Sequence, residues 1–382
     1  MLPLIFDTDQ HITEPPDFWT SRMPRKWQDV AMRVIDHPVF KDTWSYNGGR
    51  AIRSMGLSSV GSEDPRKLSS AKRYDEIDPG CYDPIRRREV MDIDGVGACL
   101  LFPSIASALS LIGDEELYLE STRVYNDAVM DWAIACDRCR VIPAALMPAL
   151  GVEHAVAELA RAASMGFKHY MFNQWPSGNP LPTPEDDAFF AQVQETGMVV
   201  SFHGYGTGRP KEPPVTFVDG KPQPADSRAQ TQETVAAVRA AGLNSTTGLA
   251  TLFLSGILGR FPRLKMCLIE TSVGWLPYFM ERLDALYDQH RWLDPSLRLA
   301  SRPSDQLGNV KWSLDREMLA AKYRREIGMD TLAFGTDWPH IGSFYPHTRF
   351  HLELLTQGFT HEEREKLLWS NAAGLYGVPP VS

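Results

Sequence analysis

Short apolar runs alternate with amphipathic stretches over most of this chain. Strand-like runs recur from Leu4 to Asp9, Ala98 to Pro103, Val141 to Met147, Phe167 to Phe172, Met198 to His203, Leu264 to Glu270 and Thr331 to Asp337. They are nearly continuous in apolar character, as strands buried on both faces of a sheet require. Helical patterns lie between several of them. The clearest runs from Val152 to Met165, where Val152, Ala155, Val156, Leu159 and Ala163 fall on one face and Gly166 supplies a stop. Strands alternating with helices imply a parallel sheet, and repetition of the unit along the chain favours a closed α/β barrel. An open doubly wound sheet is the alternative; it would usually announce a Gly-rich phosphate turn after an early strand, and the sequence has none.

Two segments break the rhythm. The region from about Trp19 to Pro84 mixes Pro, Gly, Ser and charge, includes the hairpin signal Tyr46-Asn47-Gly48-Gly49-Arg50, and reads as an insertion at 19–84 after the first strand. Directly after His203, the stretch Gly204 to Ala229 carries Gly206, Gly208, Pro210, Pro213, Pro214, Gly220, Pro222 and Pro224. A long loop at a strand's carboxyl end is placed to act as a lid or substrate-contacting flap, or is a plain surface excursion.

Composition narrows the partners. With 382 residues, 43% of them hydrophobic, the chain can bury one large barrel core or two average ones. A net charge of -9 argues against a nucleic-acid surface, which needs clustered Lys and Arg, and leaves small molecules as the expected partners. The start, Met1-Leu2-Pro3-Leu4-Ile5-Phe6-Asp7, lacks a basic n-region and meets charge early, and no apolar run reaches the roughly 18 residues of a membrane span. The expected location is cytoplasmic, without membrane partners. Five cysteines are too few and too scattered for a disulfide framework, and the C-x-x-C of Cys136 and Cys139 lies in a helix-like segment with no second pair.

The chemistry gathers at the ends of the apolar runs. In Asp7-Thr8-Asp9-Gln10-His11, residues two apart in an extended strand share a face, so two of Asp7, Asp9 and His11 can reach one ion while the third orients them. Ser201-Phe202-His203 places an imidazole at the end of another run, and Asp337 is the first charged group after Leu332-Ala333-Phe334-Gly335-Thr336. Glu270 closes a further run in the same way.

These residues carry a family resemblance. Asp7-Thr8-Asp9-Gln10-His11 with Glu14-Pro15, Met91-Asp92-Ile93-Asp94-Gly95-Val96 leading to Leu101-Phe102-Pro103-Ser104, and Gly256-Ile257-Leu258-Gly259-Arg260-Phe261-Pro262 come first. Glu270 with Gly274-Trp275-Leu276-Pro277, then Gly335-Thr336-Asp337-Trp338-Pro339-His340 and Asn371-Ala372-Ala373-Gly374-Leu375-Tyr376, follow in order. The set resembles, over almost the whole chain, the second amidohydrolase family, which includes amino-carboxymuconate-semialdehyde decarboxylase and the metal-dependent decarboxylases of hydroxylated benzoates. The resemblance implies a distorted (β/α)8 TIM barrel holding one divalent metal ion through Asp9 and His11 at strand 1, His203 at strand 5 and Asp337 at strand 8. The chain departs from the family's H-x-H form at Asp9, and it has Glu270 where the decarboxylases commonly carry His at strand 6. Zinc is the first ion expected, and the extra carboxylates admit manganese or ferrous iron.

The remaining roles stay paired with alternatives. Glu14 is an additional metal ligand or a helix-entry acid; Asp337 is a ligand or a general base; Glu270 transfers a proton or binds Arg282 or a backbone group. His340 hydrogen-bonds substrate or Asp337, and Arg50 or Arg53 receives a substrate carboxylate. The resemblance points to a homodimer, and the apolar Trp275 to Met280 segment is either part of its interface or core. The reaction implied is non-oxidative decarboxylation of a small carboxylated aromatic or unsaturated substrate. Hydrolysis of an amide, lactone or activated ester by water activated at the ion is the alternative, and a barrel that binds a small molecule without turnover is the third.

Overall fold

The computed structural model describes residues 2–49, 51–59, 61, 69, 71–207, 217–218, 221–222, 245–293 and 299–379. Eight strands close into a barrel with all neighbours parallel: β1 (Ile5–Ile12), β2 (Val96–Pro103), β3 (Val141–Leu146), β4 (His169–Gln174), β5 (Val199–Thr207), β6 (Lys265–Ile269), β7 (Val310–Leu314) and β8 (Leu332–Phe334). The last strand pairs with the first through Asp7 and Phe334, which closes the ring. Right-handed β-α-β succession puts every loop that follows a strand on one face, the face where barrel sites are built.

The sequence reading misses β7. Its residues Val310, Lys311, Trp312, Ser313 and Leu314 alternate with polar ones, whereas its neighbours read as apolar blocks. The two polar side chains find partners: Lys311 Nζ donates to the Asp330 carbonyl at 2.6 Å, and Ser313 Oγ lies 2.8 Å from Thr8 Oγ1 inside the barrel. Strand limits also shift. β8 ends at Phe334, three residues before Asp337, and β4 starts at His169 rather than Phe167.

Helix ends follow ordinary capping chemistry. In α1 (Pro84–Asp94), Asp83 accepts from the N–H groups of Ile85 and Arg86, Pro84 begins the helix, and Gly95 ends it at φ 76°. After α2 (Glu115–Asp137), α3 spans Val152–Met165, the limits that the sequence pattern predicts, and Gly166 stops it at φ 87°. On this helix Ala155 and Leu159 are buried, Val152, Val156 and Ala163 pack half-buried against the core as the pattern predicts, and Ala162 is buried as well.

Between β1 and α1 the chain builds a three-stranded antiparallel sheet from Arg33–His37, Lys41–Tyr46 and Ala51–Ser54. Its hairpin turns through Asn47, Gly48 and Gly49, all at positive φ; Arg50 lies outside the described residues. Two fully buried indoles fasten this sheet to the barrel. Trp19 donates to the Ser121 carbonyl on α2 at 3.1 Å, and Trp44 meets the Trp19 ring at 5.2 Å. Trp44 also donates to Tyr74 Oη, which donates to the Glu14 carbonyl at 2.6 Å, so the sheet is tied to the exit of β1. Most of Gly204 to Ala229 lies outside the described residues, and the lid expectation with it. No described helix is long and apolar enough to cross a membrane.

Candidate metal centre

The exits of β1 and β8 are locked side by side. Asp337 N–H donates to the Asp9 carbonyl at 2.8 Å and His11 N–H donates to the Trp338 carbonyl at 2.7 Å, which continues the β1–β8 pairing past the last regular residue. Arg87, buried in α1, donates to the His11 carbonyl at 2.6 Å and the Gly80 carbonyl at 2.8 Å, with its guanidinium 4.4 Å from the Trp338 ring. Glu270 and Asp337 leave their strands at φ 55° and 59°. Such left-handed turns are uncommon for residues with a Cβ, and they cluster at functional sites.

Three buried side chains converge where these exits meet. His11 Nε2 is 3.2 Å from Asp9 Oδ1, His203 Nε2 is 3.3 Å from the same oxygen, and the two nitrogens are 3.3 Å apart. Ligands at about 2.1 Å from a tetrahedral ion are about 3.4 Å from each other, so this near-equilateral triangle suits a shared cation. Asp337 Oδ1 stands 3.5 Å from His11 Nε2. His340 Nδ1 approaches that oxygen to 2.7 Å but off the line of a hydrogen bond, so Oδ1 is buried without a donor. An acceptor left in that condition is costly unless something electropositive completes it. Asp9, His11 and His203 therefore offer a donor set that fits a divalent ion, with Asp337 and His340 grouped about the same His11.

Electrostatics follow from this crowding. Burial opposes charge on Asp9, yet His11 and His203 hold its carboxyl well below the usual range. Burial likewise opposes the His203 cation, but the hydrogen bond to Asp9 wins and holds the ring up to about 9. Burial and the Asp9 charge push Asp337 up to about 7. His11 is driven down by burial and by His340. Its Nδ1 lies 3.1 Å from the Pro103 carbonyl, which leaves the Nε2 lone pair facing the centre.

The other residues expected at the site fall around this core. Glu270 Oε2 is 3.8 Å from His203 Nδ1, and its side chain is 52% exposed at the mouth. Burial and Asp337 push its carboxyl upward, an effect that solvent at a half-exposed group tempers. Among the described residues no ion pair joins it to Arg282. Arg53, on the inserted sheet, lies within electrostatic reach of Glu14, Tyr46 and His340. His340 is held between Asp337 and Ser104.

Glu14 does not join the converging group, and the ligand expectation for it is corrected. Its two oxygens accept from the N–H groups of Ile105 and Ala106 at 2.9 and 2.8 Å, at the start of the short 3-10 helix Ala106–Leu111 after β2. These contacts are the ones a helix-entry acid makes. Asp7 likewise orients rather than ligates: its carboxylate accepts from Thr336, Gln10 and Asp9. Arg87, Ser104 and His169 were missed. Arg87 could have been found, because Arg87, Val90, Met91 and Asp94 share one helical face and all are buried. Ser104 and the barrel-floor His169, bonded to Ser201 and the Ile142 carbonyl, carry no local signal.

Comparison with known proteins agrees with this architecture. The chain is 25% identical over 307 residues, 76% of its own length and 86% of the relative's, to a gamma-resorcylate decarboxylase of Polaromonas sp. (strain JS666 / ATCC BAA-500). Its fold is similar to that of an amidohydrolase from Mycobacterium avium subsp. paratuberculosis K-10, with a TM-score of 0.72, 19% identity, and coverage of 99% of this chain and 100% of that one. It is also similar to a dihydroxybenzoic acid decarboxylase from Polaromonas sp. JS666 with bound manganese and 2-nitroresorcinol, with a TM-score of 0.62, 19% identity, and coverage of 98% and 97%. The amidohydrolase family model matches residues 15–378, and the chain belongs to that family.

Proposed function

We propose that this enzyme is a metal-dependent, non-oxidative decarboxylase of a small carboxylated aromatic acid. The observation that carries the reading is the convergence of Asp9, His11 and His203 on one point at the mouth of the barrel, with Asp337 3.5 Å from His11. The likeness to a gamma-resorcylate decarboxylase supports the same reaction class. A divalent ion held by these four residues supplies Lewis acidity toward the substrate carboxylate and a neighbouring oxygen.

The chain's own groups do the rest. Arg53 takes an anionic oxygen of the substrate through its planar fork. Glu270, half-exposed at the mouth, holds the proton that passes to the ring carbon bearing the carboxylate. The bond from that carbon to the carboxylate then breaks, its electron pair returns to the ring, and carbon dioxide leaves. Zinc is the first ion to test on the donor set, and manganese stands beside it because the Polaromonas decarboxylase structure contains it. A homodimer belongs to the same reading, with sedimentation as its test.

Glu270 in place of the family's strand-6 His favours one second reading. A carboxyl at its ordinary pKa is ionised near neutral pH and carries no proton to give to carbon, and it is better suited to taking a proton from water during hydrolysis of an ester or amide.

The test is elemental analysis of protein purified without added metal, paired with assays on hydroxybenzoates and activated esters before and after chelation. About one ion per chain with chelator-sensitive release of carbon dioxide establishes the decarboxylase. Chelator-sensitive ester cleavage moves the assignment to hydrolase. No metal, and no recovery with zinc, manganese or iron, leaves a binding barrel. Asp337→Asn should abolish turnover in either enzyme reading.

A further inference from the structure

The turn that follows β6 is held in an uncommon shape by a side chain from the next loop. Glu270 and Ser272 both take a left-handed φ of 55°, with the fully buried Thr271 between them. Residues with a Cβ adopt that conformation at a cost, so a pair this close persists only where neighbouring groups hold it. Two sets of contacts do so. Trp275 Nε1 donates to the Thr271 carbonyl at 3.0 Å. Glu317, on the loop after β7, accepts the Val273 N–H with both oxygens at 2.9 Å and the Gly274 N–H with Oε1 at 3.1 Å. Hydrogen bonds to an ionised acceptor are stronger than those between neutral groups.

We propose that Glu317 is a positioning residue, whose carboxylate keeps the turn after β6 in its left-handed form and thereby aims Glu270 at the metal centre. Its backbone is anchored: at the N-cap of the short helix Met318–Lys322, its carbonyl accepts the Ala321 N–H at 3.0 Å. Its side chain makes no capping bond to that helix and reaches across to the neighbouring loop instead. Capping of the helix Leu276–His290 does not account for the contact. The two amides that Glu317 holds precede that helix's own N-cap, Trp275, and Pro277 already starts the first turn. What the turn delivers is Glu270, whose Oε2 lies 3.8 Å from His203 Nδ1. An ordinary negative φ at Glu270 would point its Cβ in another direction from the end of β6, and the carboxyl would leave that place. The value of this aim rests on the reading of Glu270 as proton carrier above.

The experiment compares the full chain with Glu317→Ala, with Glu317→Asp, which is one methylene too short to reach the turn, and with Glu317→Gln, whose carbonyl oxygen can take the place of Oε1. Crystal structures and amide hydrogen exchange come first, because they need no turnover. In the Ala and Asp variants the result expected is a negative φ at Glu270, a Glu270 carboxyl withdrawn from His203, and exchange at Val273 and Gly274 faster by about 10-fold or more, with Asp9, His11 and His203 unmoved. The Gln variant should match the parent. Release of carbon dioxide from 2,6-dihydroxybenzoate by the Mn2+-loaded protein should fall about 10-fold in kcat in Glu317→Ala, with KM and Mn2+ content unchanged, and should fall no further when Glu317→Ala is added to Glu270→Gln. Ala and Asp variants that keep the left-handed turn and the parent's exchange overturn the inference, as does an equal loss of rate with and without the Glu270 carboxyl. A parent that releases no carbon dioxide from any hydroxybenzoate sinks the decarboxylase reading instead, while the φ values and the exchange still decide the role of Glu317.

Discussion

Asp7 grips Thr336 across the seam where the first and last strands meet: Oδ1 accepts the Thr336 N–H at 2.9 Å and Oδ2 accepts its hydroxyl at 2.6 Å. The same carboxylate accepts from Asp9 N–H and Gln10 Nε2, so four donors in a dry environment depend on one group. Replacing Asp7 with Ala strands them and should cost about 3–5 kcal/mol in chemical denaturation. Because Asp9 and Asp337 ride on the clamped segments, metal content should fall as well. A variant as stable as the parent would show that the seam does not need this clamp.

Glu270→Gln separates proton transfer from ligation. The amide keeps the shape and loses the proton, so the expected outcome is a metal content equal to the parent's with a rate lowered about 100-fold or more. Loss of the ion would make Glu270 a ligand. An unchanged rate of carbon dioxide release would remove it from the reaction.

Among the described residues no carboxylate pairs with the buried Arg87, which donates to the Gly80 and His11 carbonyls and lies over the Trp338 ring. A lysine cannot reproduce the fork that reaches both carbonyls while stacking on an indole. Arg87→Lys should therefore lower stability by about 2–4 kcal/mol and weaken the ion, because the His11 backbone is released. Thermal melts and Mn2+ titration check both parts, and an unaffected affinity would limit Arg87 to stability.

Glu14 makes a prediction about pH. Burial pushes its carboxyl from 4.5 up to about 7 against the pull of the Ala106 and Ile105 N–H groups. Between those values the folded chain holds a proton that the unfolded chain has released. Stability is full below the lower value and declines as pH rises through the window, by about 3 kcal/mol from this residue. Asp7 and Asp337 are also raised to about 7 and add to the decline, so urea unfolding in chelator at pH 5 and pH 7.5 should show a smaller decline in Glu14→Gln than in the parent, while both bind the same amount of metal when it is supplied. Equal declines would mean that Glu14 stays ionised throughout.

Much of the barrel is legible along the chain because parallel strands covered on both faces are written as uninterrupted apolar runs. Where a strand carries polar side chains, as β7 does with Ser313 toward Thr8 inside the barrel and Lys311 toward the Asp330 carbonyl at the surface, the run is broken and β7 disappears from view. The candidate ligands were legible for a related reason: Asp9, His11, His203 and Asp337 are the polar groups that break or end apolar runs, and such positions open onto the carboxyl face of a barrel.

Roles within the site depend on meetings that spacing along the chain cannot encode. Glu14 looks as much a ligand as a cap until the loop after β2 brings Ile105 and Ala106 against it. Ser104 is one serine among many until the barrel's closure sets its hydroxyl against His340, 236 positions away. Order along the chain dictates which residues emerge at strand ends, because hydrophobic burial acts locally on each run. Which emergent atoms then face one another is set by the tilt and register of eight strands closing on themselves, a constraint that joins all of the strands at once and is contained in none of them separately.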